Sequence, residues 1–214
     1  MKLYIVRHGE TPWNIEKRMQ GREDIALNEF GCSLAVKTGK GLSDIRFARA
    51  YSSPLIRAYH TAELILKENP LSQEAEIIKD DDLIEMSFGI YEGLCCSKEG
   101  WNMPDDNFKN FFSNPGAYHT PEGGESFQSM LDRIEHFLHR ILNDPTLENE
   151  TILIASHGAA IRGIINVITG NTIEEYWKGG VHKNCGITIV NKKNDWFVIE
   201  EENIVYYDDD VADW

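Results

Sequence analysis

Residues 3–14 read Leu-Tyr-Ile-Val-Arg-His-Gly-Glu-Thr-Pro-Trp-Asn, and this stretch decides how the chain is understood. Leu3 to Val6 is short, β-branched and aromatic, the pattern of a buried strand. It ends abruptly in Arg7 and His8. Two cationic side chains held together cost free energy unless an anion lies between them. The rest of the chain can be asked whether it supplies partners for that anion.

Working outward, strand-like and helix-like segments alternate. After a polar loop, Phe30, Leu34 and Thr38 space a helix from about Asn28 to Leu42. Residues 47–53, Phe-Ala-Arg-Ala-Tyr-Ser-Ser, read as a second strand, with Ser53 as N-cap and Pro54 as first residue of the next helix. Residues 76–80 are a third candidate strand. From Phe88 to His119 periodicity fades, and the segment reads as an inserted cap rich in Gly, Pro, Asn and aromatics. A helix follows from about Glu125 to Leu142. Residues 150–156 form the clearest buried strand, followed by a helix from His157 to Gly170. Residues 186–200 read as a hairpin turning at Lys192 to Asn194, with one more short strand near Val205. This alternation predicts a three-layer α/β/α fold with a mostly parallel central sheet, one domain over 1–214 with a cap at about 88–119.

In such sheets ligands gather at the carboxyl ends of strands. Three polar clusters fall there: Arg7–His8–Gly9, Ser52 to Arg57, and Ser156–His157–Gly158. Two histidines and two arginines in one place suit a phosphoryl group, because the planar guanidinium pairs with phosphate bidentately. A neutral histidine can act as nucleophile and split a hard hydrolysis into two easier steps. Glu85, which follows an apolar pair just after the third strand, is the candidate proton donor for the leaving alcohol.

Four blocks carry a resemblance: residues 3–14, residues 52–65 (SSPLIRAYHTAELI), residues 83–93 (LIEMSFGIYEG) and residues 156–164 (SHGAAIRGI). In this order and spacing, over essentially the whole chain, they resemble the histidine phosphatase superfamily, in its phosphoglycerate-mutase-like branch. The resemblance implies that His8 is the phosphorylated nucleophile, that Arg7 and Arg57 clamp the phosphoryl oxygens, and that His157 hydrogen-bonds them. It implies Glu85 as acid and then base, Asn14 as a phosphate-pocket residue, and Gln20 and Gly21 as secondary pocket residues. No metal or cofactor is required in that mechanism. Catalysis with Glu85 as the acid implies an acid-to-neutral pH optimum.

Three functions fit these blocks: a phosphatase acting on a small phosphate ester, a cofactor-dependent phosphoglycerate mutase, and a silent phosphate-binding module. A mutase of this kind resembles a longer chain with a cap rich in Arg and Lys. Here residues 88–119 hold no arginine and only Lys98 and Lys109, beside Phe88, Tyr91, Trp101, Phe108, Phe111, Phe112 and Tyr118. That favours the phosphatase, and any of those aromatics facing the pocket would favour an apolar or aromatic alcohol half, such as a nucleoside-like or aryl phosphate. None of the five catalytic residues is missing, as a silent module would require.

The formal net charge of −14 argues against nucleic acid or an anionic membrane as partner, and any anionic substrate must be drawn in by a local positive pocket; the resemblance implies a small phosphorylated metabolite. Four cysteines with no zinc-like spacing suggest reduced thiols and a cytoplasmic setting. The chain opens directly into a strand, so no signal peptide or transmembrane helix is expected. A homodimer rests on fold-level analogy alone. Several charged residues have duller readings. Arg162 reads as a salt-bridge partner, His136 and His139 as a solvated face, and Glu92 as a rival that the family pattern disfavours. Asp80–Asp82 and Asp208–Asp210 read as solvated runs, and the final residues as a loose tail or a short packed segment. His182 stands equally between the pocket and the scaffold.

Overall fold

The computed structural model describes residues 1–211. In chain order its elements are β1 (Lys2–Arg7), α1 (Pro12–Ile15), α2 (Glu29–Gly41), β2 (Arg49–Ser52), α3 (Ile56–Glu68), β3 (Ile77–Lys79), α4 (Asn107–Ser113), α5 (Phe127–Leu142), β4 (Thr151–Ser156), α6 (Gly158–Thr169), β5 (Ile187–Lys193) and β6 (Trp196–Ile204). The strands form one six-stranded sheet in the order β3-β2-β4-β1-β5-β6. β1, β2, β3 and β4 are mutually parallel, β5 runs antiparallel to β1, and β6 runs antiparallel to β5.

Strand alternation sorts the apolar side chains into two layers. Leu3, Ile5, Ile152 and Ile154 face α5 and α6, packing with Ile134, Phe137, Ile161 and Ile164. Tyr4, Val6, Leu153 and Ala155 face the other way, onto Leu34 and Ala35 of α2 and Ala58, Ala62 and Ile65 of α3. Both faces of β1 and β4 are therefore covered, which is why these strands read as continuous apolar runs. Each fully buried Leu, Ile or Phe contributes about 1.5–3 kcal/mol to this packing.

Register positions the polar strand ends. Arg7 lies opposite Ser156, and Ser52 opposite Ala155. The chain leaves β1 toward α2 on one face and leaves β4 toward α6 on the other, opening a crevice between adjacent strand ends. Because β5 is antiparallel and Ile187 pairs with Val6, the loop that precedes β5 arrives at this same end.

Several boundaries differ from the expectations. α3 begins at Ile56, not Pro54: Asp24 accepts from the Ile56 N–H at 2.7 Å, while the Ser53 hydroxyl accepts from the Leu55 N–H at 3.3 Å and also meets His157. β6 runs through to Ile204 with no separate strand near Val205, and the hairpin turns at Asn194–Asp195, with Asn194 at φ 57°. Within residues 88–119, α4 sets Phe111 in a stacked contact with Phe127 of α5, ring centroids 5.3 Å apart. Asp80 is buried and paired with Arg140 at 2.6 Å rather than solvated. In the C-terminal segment Tyr207 and Val211 pack into the α2–α3 layer and Lys37 pairs with Asp209; residues 212–214 lie outside the described residues.

Candidate active site

His8 follows the last residue of β1 and is tied back to β4 by its N–H on the Ser156 carbonyl. Gly9 is forced by close approach, since a Cβ there would stand 2.6 Å from the Gly31 carbonyl oxygen at the start of α2. The His8 ring is 3% exposed, and its Nδ1 lies 2.7 Å from the Gly9 carbonyl. A carbonyl only accepts, so the proton sits on Nδ1 and Nε2 carries the lone pair. Burial first, then the charges of Arg57 and Arg7, hold this imidazole well below its usual value of 6.5. It is neutral at physiological pH.

Arg7 and Arg57 are both buried, and burial brings each down to about 10, so both stay charged at neutral pH. An Arg7 Nη donates to the His182 carbonyl in the loop before β5. Arg57 is gripped from three sides: Nη1 donates to the Glu23 carbonyl, Nη2 to the Gly21 carbonyl, both at 2.7 Å, and Nε to His157 Nδ1 at 3.1 Å. Gly21 sits at φ +51°, a conformation that favours glycine. His157 therefore accepts on Nδ1 and donates from Nε2 to Ser53 Oγ at 2.7 Å. Its ring centroid lies 5.3 Å from that of His8. Both of its nitrogens are thus engaged by protein groups in this structure, Nδ1 by Arg57 and Nε2 by Ser53.

Glu85 caps α6 from outside the helix. The residue at the N-cap, His157, makes no side-chain cap bond, and Glu85 accepts instead from Ala160 N–H on Oε1 and Ala159 N–H on Oε2, at 3.0 and 3.1 Å. Its own neighbour Met86 also donates to Oε1 at 2.9 Å. One lone-pair position remains on Oε2 for a proton. Glu92, the rival, instead accepts from the Phe88 and Arg22 N–H groups and holds the chain turn.

These groups surround a cavity of about 50 Å³ lined by Arg7, His8, Gln20, Gly21, Arg57 and Glu85 on its polar side. Asn14 lies one layer back: its Oδ1 accepts from the Thr11 N–H at 3.0 Å, and its buried Nδ2 has no protein partner. Asn184, which sequence reading passed over, donates to the His8 carbonyl at 3.0 Å. Residues 3–205 match the family model described as the histidine phosphatase superfamily (branch 1).

The chain belongs to the histidine phosphatase superfamily. A metal-independent phosphoserine phosphatase of Arabidopsis thaliana is 32% identical over 93% of this chain and 79% of its own. Among solved structures, Bacillus stearothermophilus YhfR superposes with a TM-score of 0.85 at 29% identity, covering 96% of this chain and 98% of that one. A phosphoserine phosphatase from Entamoeba histolytica, in complex with 3-phosphoglyceric acid, gives 0.79 at 29% identity over 95% and 97%. This histidine phosphatase is thus an enzyme, a phosphoric monoester hydrolase, and the silent-module alternative falls away.

Other lining residues of the phosphatase pocket had no sequence signal. Met19, Trp177 and Val181 belong to loops without periodicity, and only the arrival of the antiparallel β5 brings residues 177–185 here. Burial and the charges of Arg162 and Arg7 bring His182 down to about 3. It bonds Thr188 Oγ1 at 2.6 Å, so it belongs to the scaffold beneath Arg7. Arg162 pairs with Glu202 at 2.5 Å, as expected, while His136 meets Asp82 and His139 stands exposed against Trp196. No helix among the described residues is long and apolar enough to cross a membrane.

Proposed function

We propose that this phosphatase hydrolyses small phosphate monoesters without a metal, through a phosphohistidine on His8. The observation that carries this reading is the neutral His8 ring, its Nδ1 hydrogen on the Gly9 carbonyl and its Nε2 lone pair beside a cavity walled by two buried guanidiniums.

The Nε2 lone pair attacks phosphorus and forms a P–N bond. The ester P–O bond breaks, its electron pair stays on the alcohol oxygen, and that oxygen takes the proton of the Glu85 carboxyl. Water then attacks the phosphoryl group and gives a proton to the Glu85 carboxylate. The P–N bond breaks, and its electrons return to Nε2. Throughout, Arg7 and Arg57 face the non-bridging oxygens, supplying preorganised positive charge in a water-poor site. The Gly9 carbonyl supports the Nδ1 hydrogen while the phosphorylated ring is cationic. The free donor on Asn14 and the amide of Gln20 are available to further oxygens.

Rapid acid-free quenching of enzyme mixed with ³²P-labelled ester tests the scheme. Wild type should yield an acid-labile, base-stable phosphoenzyme and phosphate release unchanged by EDTA, with both lost in His8→Ala. A labelled His8→Ala protein, or release abolished by EDTA, would overturn it.

A further inference from the structure

The phosphatase reading above says what is cleaved, and the walls beyond the phosphoryl site bear on the alcohol it is cleaved from. Among the described residues, Arg7 and Arg57 are the only cations lining the inner cavity. On its other side, besides Gly158 and Ala159 at the start of α6, the lining is large and apolar: Met19, Phe88, Phe111, Phe112, Trp177 and Val181. Phe112, Trp177 and Val181 also wall an outer cleft of about 470 Å³, which continues past Cys96 and Ser97 to Lys17.

These rings are a built surface. Phe112 is 37% exposed, whereas Tyr91 and Phe108 in the same segment are buried at 1% and fill its interior. The Trp177 indole Nε1 donates to the Phe111 carbonyl at 2.5 Å, fixing the ring plane. Phe112 and Trp177 lie 4.9 Å apart, centroid to centroid, at 44°. Such a pair offers a long apolar face whose geometry is set before binding, which lowers the entropy lost on association.

A second anion on a compact ester would find no further cation in the cavity lining beside the two that face the phosphate. Set against Phe88 and Phe111 it would be desolvated without compensation. The positive end of α6 is already used, because the Ala159 and Ala160 N–H groups donate to Glu85, and Glu85 itself would repel a carboxylate. Lys17 lines only the outer cleft, beyond Phe112 and Trp177. We infer that the substrate is the phosphate monoester of an extended apolar alcohol, alkyl or aryl, with no second anionic group next to the phosphate. The chain of that alcohol lies along Phe112 and Trp177 into the outer cleft.

A series of n-alkyl phosphates from ethyl to octyl tests this, because the leaving-group chemistry stays constant while apolar length grows. Phosphoserine and 3-phosphoglycerate are run beside it. The inference expects kcat/KM to rise with chain length, by up to about fourfold per fully buried methylene, which is about 0.8 kcal/mol converted at 1.4 kcal/mol per tenfold. Octyl phosphate should exceed both anionic esters at least 100-fold. Phe112→Ala should flatten the rise, and Phe112→Arg, which adds the missing cation at an exposed position, should shift the ratio of 3-phosphoglycerate to octyl phosphate at least tenfold toward the former. A flat series, or phosphoserine turned over as well as octyl phosphate in a His8-dependent manner, overturns the substrate class and leaves the phosphatase mechanism standing. No release from any ester overturns both.

Discussion

Arg57 donates its Nε hydrogen to Nδ1 of His157 across 3.1 Å, joining two residues one hundred positions apart in the chain. This contact fixes the tautomer of His157, whose remaining hydrogen goes to Ser53, and fixes the plane of the guanidinium that faces the phosphoryl cavity. Arg57 has its other nitrogens on the Gly21 and Glu23 carbonyls, so removing the histidine leaves the charge in place and loosens its direction.

His157→Ala should lower kcat/KM about 100-fold through misplacement of that guanidinium. His157→Asn, whose Oδ1 can accept from Arg57 Nε, should recover at least tenfold of the loss. Steady-state kinetics on one ester distinguishes the two variants. Equal activity of both would show that acceptance from Arg57 is not what His157 contributes.

Glu85→Gln should slow alkyl phosphate hydrolysis about 10²–10⁴-fold, the usual contribution of a general acid. The amide also brings N–H hydrogens against the Ala159 N–H group that now donates to Oε2, so Tm should fall. For p-nitrophenyl phosphate, whose leaving group needs no proton, formation of the phosphoenzyme should lose far less. Equal losses with both leaving groups in single-turnover kinetics would remove Glu85 from the acid role.

Stability should fall as pH drops below about 6.5. Burial holds His8 and His157 well below 6.5 and brings His182 down to about 3, so the native state keeps all three neutral. Above 6.5 the unfolded chain is neutral at these positions too, and they add no pH dependence. Below it the unfolded chain binds protons that the native state refuses, and each group removes up to about 1.4 kcal/mol per pH unit. Urea unfolding at pH 7, 6 and 5 should show this slope, and His182→Gln should reduce it by one proton. An unchanged slope in that variant would mean His182 is not buried neutral.

Gly21→Ala should destabilise the protein by about 1–2 kcal/mol, since alanine is strained at φ +51°. The added Cβ would also meet the Glu92 carboxylate at 2.1 Å. Displacing the Gly21 carbonyl removes one of the acceptors on Arg57, so kcat/KM should fall with stability. Thermal unfolding and kinetics on the same preparation check both outcomes.

Legibility in the sequence followed from how local each signal is. Leu3–Val6 and Ile152–Ala155 announce buried strands because both faces are covered, and the polar residues that follow them mark the strand ends. The start of α3 is not legible locally, because the acceptor on its first N–H, Asp24, lies 32 residues before it in the chain. Nothing near Asp80 in the chain signals its burial, because its partner Arg140 lies sixty residues away.

Local sequence suffices for the α/β class and the family, because periodicity and motif spacing are properties of short segments, and it nominates the Arg7, His8, Arg57 and Glu85 side chains that line one cavity. Only the tertiary structure shows that Glu85 caps α6, that His157 Nδ1 accepts from Arg57, and that Asn184 donates to the His8 carbonyl. It alone decided that Phe112 and Trp177 wall the pocket while Phe108 does not. Those relations depend on strand order and on the antiparallel arrival of β5, which bring distant segments within hydrogen-bond distance. No local pattern encodes such a distance.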